Sequence, residues 1–395
     1  MSSSDRDFSY KLLGKRMAWA LGYVPLLNVP VWLPEFVSSR TGLELTDADV
    51  LGFRFDPSGK VSKVLIDCKT TTKGRAVDRV LWVRGLGEFL AVDDLYLFQA
   101  RIPHNARWLA DQLIVRCLDH KDLARLERHL GLDVLKGPYF DGSGYHQVHT
   151  LLNSFPKSSE YRVLSRFLLG GIWTLSPTRR VPTLLSLGDQ SELKAKLRPD
   201  VLSHKVLVLQ GTLVLALNLG LLAARLSVID SLDVEQRLRE ELHGGAEALE
   251  QKRHYLAVVA RLTAESGGES SDVDVDLPSF PGLLEQVNRL LMRRYVLNDA
   301  IRAIDLALHY RASGHTTLPR NLGGARHSLS GKVASDVLAL FVTTNGFDPE
   351  FKSTIMDLLP TVTPQETGEP PSDYRENAPS ESLQLPLVPD LRSKK

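Results

Sequence analysis

The sequence predicts an α/β N-terminal domain, a larger and mainly α-helical domain, and a C-terminal tail. Helical and strand-like runs alternate over the first hundred or so residues, whereas three-to-four-residue apolar spacing dominates from about residue 105 onward. The last segment is rich in Pro, Glu and Ser and has few large apolar residues, so it cannot offset its ordering entropy. We therefore expect domains over residues 1–104 and 105–362, and a disordered tail over residues 363–395.

The N-terminal domain is predicted to begin with a helix, continue through three strands, and end with a helix and a strand. Pro25 and Pro30 make the first strand irregular, and the turn-forming DPSGK run over 56–60 joins the next two strands as a hairpin. The predicted bounds are 8–21 for the first helix, 46–55 and 61–69 for the hairpin strands, 78–92 for the second helix and 93–102 for the last strand.

One segment of the helical domain, residues 206–226, is apolar and about long enough to cross a bilayer, for which roughly 20 residues suffice. Gln210, Thr212 and Asn218 lie inside it, and a single span would place the two halves of the chain on opposite sides of a membrane. A buried core helix is therefore favoured over a transmembrane helix. Further along, residues 264–278 are acidic and rich in Gly and Ser, which predicts a loop.

The composition excludes several classes of protein. The 48 Lys and Arg nearly balance the 47 Asp and Glu, so the whole chain has no strong field, and nucleic-acid binding would need a local basic patch. With Cys68 and Cys117 as the only cysteines, a disulfide framework and a Cys-rich zinc site are both disfavoured. His146 and His149 have no companion ligands that would favour zinc. These features, and an N-terminus unlike a secretory signal, predict a cytoplasmic protein.

The hairpin strands carry charges where buried strands rarely do. Side chains at i and i+2 of a strand share a face, so Asp67 and Lys69 lie together while Cys68 points to the core. Asp49, on the neighbouring strand, is placed to meet Asp67 across the hairpin. A plainer structural alternative is that Asp67 and Lys69 pair with each other at a solvent-facing edge.

Two carboxylates side by side repel each other, and a divalent cation with oxygen ligands, most simply Mg²⁺, relieves that repulsion. Such a cation polarises a phosphoryl oxygen and lowers the pKa of a bound water. Lys69 beside it would orient the water or stabilise charge on the phosphate. The chemistry that this set fits best is hydrolysis of a phosphodiester.

The runs TDADVLGF and VLIDCKT, separated by a turn, resemble the core of the PD-(D/E)xK nuclease superfamily, the restriction-endonuclease-like fold. The resemblance covers about residues 8–102, and the predicted element order agrees with it. It implies a nuclease that uses Mg²⁺ or Mn²⁺. The implied roles are metal ligation by Asp49, Asp67 and the main-chain carbonyl of Cys68, catalysis by Lys69, and phosphate binding by Arg75 and Arg79.

The sequence departs from the fullest family pattern on the first helix, where many members carry a glutamate that supports the metal. The stretch FSYKLLGKRM has none, and Glu44 and Asp47 are the candidates to replace it. We expect a nuclease acting on DNA, in defence against foreign DNA or in repair. The alternative is an inactive nuclease-fold subunit that binds nucleic acid or assembles with a protein partner through its helical domain. A third possibility is that the helical half is the functional part, as an interaction scaffold.

Overall fold

The structure, a computed structural model, describes residues 3–32, 44–69, 75–189, 197–227, 233–265, 276–318 and 328–356. The chain divides into two units, residues 1–360 and 361–395, and the second lies outside the described residues. The predicted tail over 363–395 belongs to that second unit. Most of the predicted acidic loop over 264–278 also lies outside the described residues.

The N-terminal part of the first unit is α/β, as the sequence predicts, and contains a five-stranded mixed sheet with helices. Its elements are α1 (Ser3–Ala20), β1 (Val24–Trp32), β2 (Glu44–Phe55), β3 (Val61–Lys69), α2 (Ala76–Phe89), β4 (Asp94–Gln99), α3 (His104–Gln112) and β5 (Val115–Leu118). The strands lie side by side in chain order, β1 to β5. The first three are antiparallel, and β4 and β5 continue the sheet parallel to β3.

A tight turn joins β2 to β3. Gly59 has a φ of +91°, a left-handed conformation that glycine adopts at little cost. Its N–H donates to the Asp56 carbonyl at 2.9 Å, and the Ser58 N–H donates to Asp56 Oδ1 at 2.9 Å. The turn fixes the register of the hairpin, and with it the position of the charged residues at the far end of the two strands.

Helices cover both faces of the sheet. Val64, Ile66 and Cys68 of β3 belong to a core cluster with residues of α1, while the alternate residue Leu65 packs in a cluster with residues of α2. At Gly14 of α1 a Cβ would lie 3.2 Å from the Val50 side chain, so the helix lies close against β2 and β3. This close approach places the lysines of α1 beside the sheet.

After β5 the described chain is helical. The sequence predicts a mainly helical chain beyond residue 105, and β5 is a strand within that region. β5 is only four residues long, too short for periodicity to reveal. The helices are α4 (His120–His129), α5 (Ser143–Asn153), α6 (Glu160–Leu169), α7 (Pro177–Leu185), α8 (Leu202–Leu226), α9 (Val234–His243), α10 (Ala246–Glu265), α11 (Phe280–Met292), α12 (Arg294–Ala312), α13 (Ser328–Thr344) and α14 (Glu350–Met356), with short 3₁₀ turns between some of them.

Helix α8 is the apolar segment identified in the sequence. Among the described residues it is the one helix long and apolar enough to cross a membrane by length and composition, and 89% of its most apolar window is buried inside the fold. Thr212 and Asn218 are buried there and donate to main-chain carbonyls four residues earlier, at 2.8 Å each. The helix thus has the burial of the core helix that the sequence favours.

The sheet and the helical region share one hydrophobic core within residues 1–360. Phe55 of β2 packs against Gly220 of α8, where a Cβ would come within 2.6 Å of the ring. Asn298 of α12 accepts a hydrogen bond from the Phe55 N–H at 3.1 Å and donates to the Gly22 carbonyl at 2.9 Å. The helical region is therefore bonded directly to the sheet that carries the charged strands.

Candidate functional site

The predicted site lies where the ladder between β2 and β3 ends. Val50 pairs with Ile66, and the next residues along the two strands are Asp49 and Asp67. Asp49 Oδ2 accepts a hydrogen bond of 2.7 Å from the Cys68 N–H. Because a strand N–H lies in the plane of its sheet, this bond places the Asp49 carboxylate at the end of the ladder. The donor, Cys68, is the residue that follows Asp67 in β3.

A lysine on the first helix holds Asp49. Lys11 Nζ of α1 lies 2.6 Å from Asp49 Oδ1 and 3.6 Å from Asp47 Oδ2, and it also donates to Asn28 Oδ1. Burial alone would lower the pKa of Lys11, but the hydrogen bond to Asp49 and the charges of Asp49 and Asp47 raise it. The first helix thus supplies a cation in the segment where the family pattern would place a glutamate.

An arginine on the second helix holds Asp67. Arg79 of α2 donates through Nε to Asp67 Oδ2 at 2.5 Å and through Nη2 to Asp67 Oδ1, a two-pronged ion pair. The Asp67 pKa is nevertheless raised, because burial outweighs Arg79 and the charge of Asp49 adds to the increase. That effect of Asp49 on Asp67 means that the two carboxylates are close enough for their charges to interact.

Protein donors therefore reach all four oxygens of the two carboxylates. Lys11 and the Cys68 N–H contact the oxygens of Asp49, and Arg79 contacts both oxygens of Asp67. Asp67 is 4% exposed and pairs with Arg79, so it is not the solvent-facing partner of Lys69 that the plainer alternative requires, and Asp49 is buried as well, at 5% exposed. Buried carboxylates need such partners, because an unpaired buried charge is very costly.

Lys69 ends β3 and is half-buried. The charge of the Lys69 ammonium partly offsets the rise that burial causes in the Asp67 pKa. The ammonium is therefore within electrostatic range of that carboxylate. The structure thus brings Lys69 and Asp49 into electrostatic range of Asp67. Convergence of the three groups on one metal-sized point stays a prediction.

An open cleft with a basic lining lies at the N-terminal ends of α2 and α3. Its volume is about 810 Å³, and its polar lining comprises two arginines, Arg75 and Arg101, with Asp78, Gln99 and Asn105. Gln99 is paired in register with Lys69, is 6% exposed, and has no hydrogen-bond partner for Oε1 in the described part of the chain. Of the two arginines predicted to bind phosphate, Arg75 lies in this cleft and Arg79 lies on Asp67.

Three residues of this region are not found by reasoning from the sequence: Lys11, Gln99 and Arg101. Gln99 offers a weak signal, since it is a polar residue that ends an apolar strand parallel to β3. Lys11 offers none, because a lysine on an amphipathic helix ordinarily faces solvent. Their positions follow from the packing of α1 and from the pairing of β3 with β4.

A hard divalent cation requires oxygen ligands, which the site supplies in part. Among the described residues no group of three or more His, Cys, Asp and Glu side chains is arranged to hold a metal. Asp49, Asp67 and the Cys68 carbonyl still offer oxygens, and Mg²⁺ commonly uses one or two carboxylates with water for the rest. The Cys68 side chain is fully buried in the core cluster that β3 shares with α1, so its main-chain carbonyl and not its sulfur is the candidate ligand. The chemistry of this donor set fits Mg²⁺ or Mn²⁺, provided that Lys11 or Arg79 releases an oxygen.

Glu44 and Asp47, the candidates for the missing glutamate, occupy different surroundings. Glu44 is exposed at the start of β2, opposite Trp32. The Asp47 side chain is 50% exposed and lies near the same lysine as Asp49. Of the two, Asp47 is the one whose carboxylate lies beside the site.

Comparison with known proteins adds no relative to this picture. Family models, curated proteins and solved structures all give no match to the chain. The resemblance to PD-(D/E)xK nucleases therefore stays a prediction from the motif, and the proposed function depends on the residues themselves.

Proposed function

We propose that the N-terminal sheet carries a divalent-metal-dependent phosphodiester hydrolase that cuts nucleic acid, with DNA as the favoured substrate. The observation that supports this most is the placement of two nearly fully buried carboxylates, Asp49 and Asp67, at the end of one strand ladder. Burial raises the pKa of Asp67, and the charge of Asp49 adds to that rise. A buried carboxylate with a perturbed pKa beside a lysine is typical of functional sites.

In this proposal Asp49, Asp67 and the Cys68 carbonyl would hold the cation. The bound cation would polarise a phosphoryl oxygen and lower the pKa of a water. The Lys69 ammonium would stabilise the charge that develops on the phosphate, or orient the attacking water. Arg75, in the open cleft, would bind a neighbouring phosphate and so position the nucleic-acid strand.

Lys11 and Arg79 would act as internal counter-ions in the metal-free protein. Each neutralises one buried carboxylate, which lowers the cost of keeping the site folded without metal. A divalent cation would have to displace at least one of their contacts. We therefore expect a metal affinity weaker than that of a site with free carboxylates.

A second function is favoured by the same ion pairs. Because all four carboxylate oxygens already have donors, the fold would be stable as a subunit that binds nucleic acid in the cleft without cutting it. A protein partner would then be expected at the helical region. By family analogy alone, either form would act in the cytoplasm, in defence against foreign DNA or in repair.

Cleavage assays with matched variants test the proposal. Wild type, Asp67→Asn and Lys69→Met would be incubated with plasmid, single-stranded DNA and RNA in Mg²⁺ or Mn²⁺. Asp133→Asn, at an exposed position after α4, and Lys60→Met, in the exposed turn of the hairpin, serve as controls. We expect cleavage by wild type and controls and a loss of at least about a hundredfold in the two site variants.

The outcomes separate the two functions. Cleavage that is equal in wild type and both site variants would rule out this site as its source. Binding of nucleic acid without cleavage under any metal condition would favour the second function instead.

A further inference from the structure

A second polar site lies on the helical side of β1, outside the candidate nuclease site. It is a partly open cavity of about 90 Å³ lined by residues of α1, β1, α5, α6, α8 and α12. Its apolar part includes leucine and valine side chains of α8, and its polar lining comprises Lys15, Asn28, Tyr145, His149, Gln210, Asp305 and His309. The cavity thus combines a set of convergent polar groups with an apolar wall, as small-ligand sites do.

Lys15 is the residue that most needs a partner. It is 2% exposed, and its Nζ lies 3.5 Å from the centre of the Tyr139 ring. Within the described ranges, no hydrogen bond or ion pair is made by this ammonium, which has three N–H donors. A buried ammonium without oxygen acceptors is costly, and the cavity that Lys15 lines is where acceptors can be supplied.

Asp305, the carboxylate that lines the same cavity, does not supply them. It accepts a hydrogen bond of 2.5 Å from the Tyr139 hydroxyl, and His309 Nδ1 lies 3.3 Å from its Oδ1. Those two contacts hold Asp305 within the fold. Among the described residues it makes no ion pair with Lys15, although its charge raises the pKa of Lys15 against the larger effect of burial. The Lys15 ammonium therefore receives no hydrogen-bond acceptor from Asp305, and a ligand in the cavity would supply one.

The other polar groups add donors. The Tyr145 hydroxyl accepts a hydrogen bond of 2.8 Å from Asn28 Nδ2, which leaves its own hydrogen free to donate. Burial, helped by the neighbouring histidines His309 and His146, lowers the pKa of His149 to about 4. His149 is therefore neutral at pH 7 and has one ring N–H to donate.

We propose that this cavity binds a small oxyanion, with Lys15 as its counter-ion and Tyr145 as a second donor. The volume sets the size of the ligand, since an engineered cavity of about 150 Å³ holds benzene. A cavity of about 90 Å³ has room for an anion of four or five heavy atoms, such as inorganic phosphate or acetate, and excludes a nucleotide. The site does not depend on the proposed nuclease activity.

Thermal unfolding of the full chain at pH 7 tests this proposal, with sodium phosphate or sodium acetate added and sodium chloride at equal ionic strength as the reference. The variants are Lys15→Met and Tyr145→Phe, with the exposed Lys121→Met as the matched control. We expect one oxyanion to raise the Tm saturably in wild type and Lys121→Met, as binding to the native state requires. Lys15→Met should abolish the rise, and Tyr145→Phe should weaken the affinity by about tenfold.

The two anions also identify the ligand. A response to phosphate assigns a tetrahedral anion, and a response to acetate assigns a carboxylate. Either supports the proposal only if it is lost in Lys15→Met. The absence of any rise beyond the chloride reference, or an equal rise in Lys15→Met, would mean that the cavity holds only water and would overturn it. If Lys15→Met does not fold, an affinity in Tyr145→Phe equal to that of wild type would overturn the proposal as well.

Discussion

Lys11 on the first helix lies 2.6 Å from Asp49 on the second strand. This ion pair ties α1 to the end of the β2–β3 ladder, in the segment where the nuclease family pattern would supply a carboxylate. Through Lys11, the first helix also supplies a positive charge to the site. In the proposed function, a metal ion and Lys11 would therefore compete for Asp49.

Lys11→Glu is expected to reverse that competition. The new carboxylate would lie beside Asp49 and Asp47, so repulsion should lower the Tm of the metal-free protein. Mn²⁺ would relieve the repulsion and should bind at least about tenfold more tightly than in wild type. Thermal unfolding with increasing Mn²⁺ measures both effects, and Lys121→Glu on the exposed surface of α4 is the control. Equal Mn²⁺ responses in the three proteins would show that α1 does not govern metal binding.

Arg75→Ala is expected to weaken nucleic-acid binding with little effect of base sequence. Each phosphate contact on duplex DNA contributes about 0.9 to the slope of log affinity against log salt. The slope should therefore fall by about one unit when Arg75 is removed from the cleft. Fluorescence anisotropy at several salt concentrations checks this, with Arg84→Ala on the same helix as the control. A slope that falls equally in the control would remove the cleft from the binding surface.

Lys15 should make stability depend on pH in the alkaline range. Burial lowers its pKa to about 8 from 10.5, so between these values the unfolded chain binds the proton that the folded protein has released. Stability from this group therefore rises with pH across that window, by roughly 3 kcal/mol in total at about 1.4 kcal/mol per unit. Urea unfolding of wild type and Lys15→Met, in buffers free of phosphate and acetate, measures it. The free energy of unfolding of wild type, relative to that of Lys15→Met, should rise from pH 8 to pH 10.5. A difference that stays constant with pH would contradict the assignment.

Asn298→Ala should destabilise the sheet and the helical region together. The change removes the acceptor for the Phe55 N–H and the donor to the Gly22 carbonyl, two bonds of about 1 kcal/mol each. We expect a loss of about 2 kcal/mol and a single unfolding transition by circular dichroism, since both regions share one core. Gln112→Ala, on an exposed position, should change the stability by less than about 0.5 kcal/mol. Two separate transitions in wild type would show that the regions fold independently.

Much of the N-terminal fold could be predicted from the sequence. Two apolar, strand-like runs joined by the DPSGK turn identified the hairpin, and period-two spacing put Asp67 and Lys69 on one face, so Asp49 was expected to meet Asp67 across the hairpin. Both strands end within two residues of the predicted bounds. Strong local patterns of this kind need no tertiary information.

The partners of those carboxylates could not be predicted. Lys11 reaches Asp49 because Gly14 lets α1 lie close against β2 and β3, and Arg79 reaches Asp67 because the crossover returns α2 to that strand. Both contacts depend on the three-dimensional path of the chain, which spacing along the sequence does not encode. For the same reason the burial of Lys15 could not be predicted from the sequence.

The most direct test of the account is the number of Mn²⁺ ions bound per chain, measured by electron paramagnetic resonance of the free ion at pH 7. The proposed function predicts saturable binding at the Asp49–Asp67 site in wild type and in the Asp133→Asn control. That binding should be lost, or weakened by at least about a hundredfold, in Asp67→Asn. The same stoichiometry and affinity in Asp67→Asn as in wild type, or no Mn²⁺ binding by wild type at all, would contradict it.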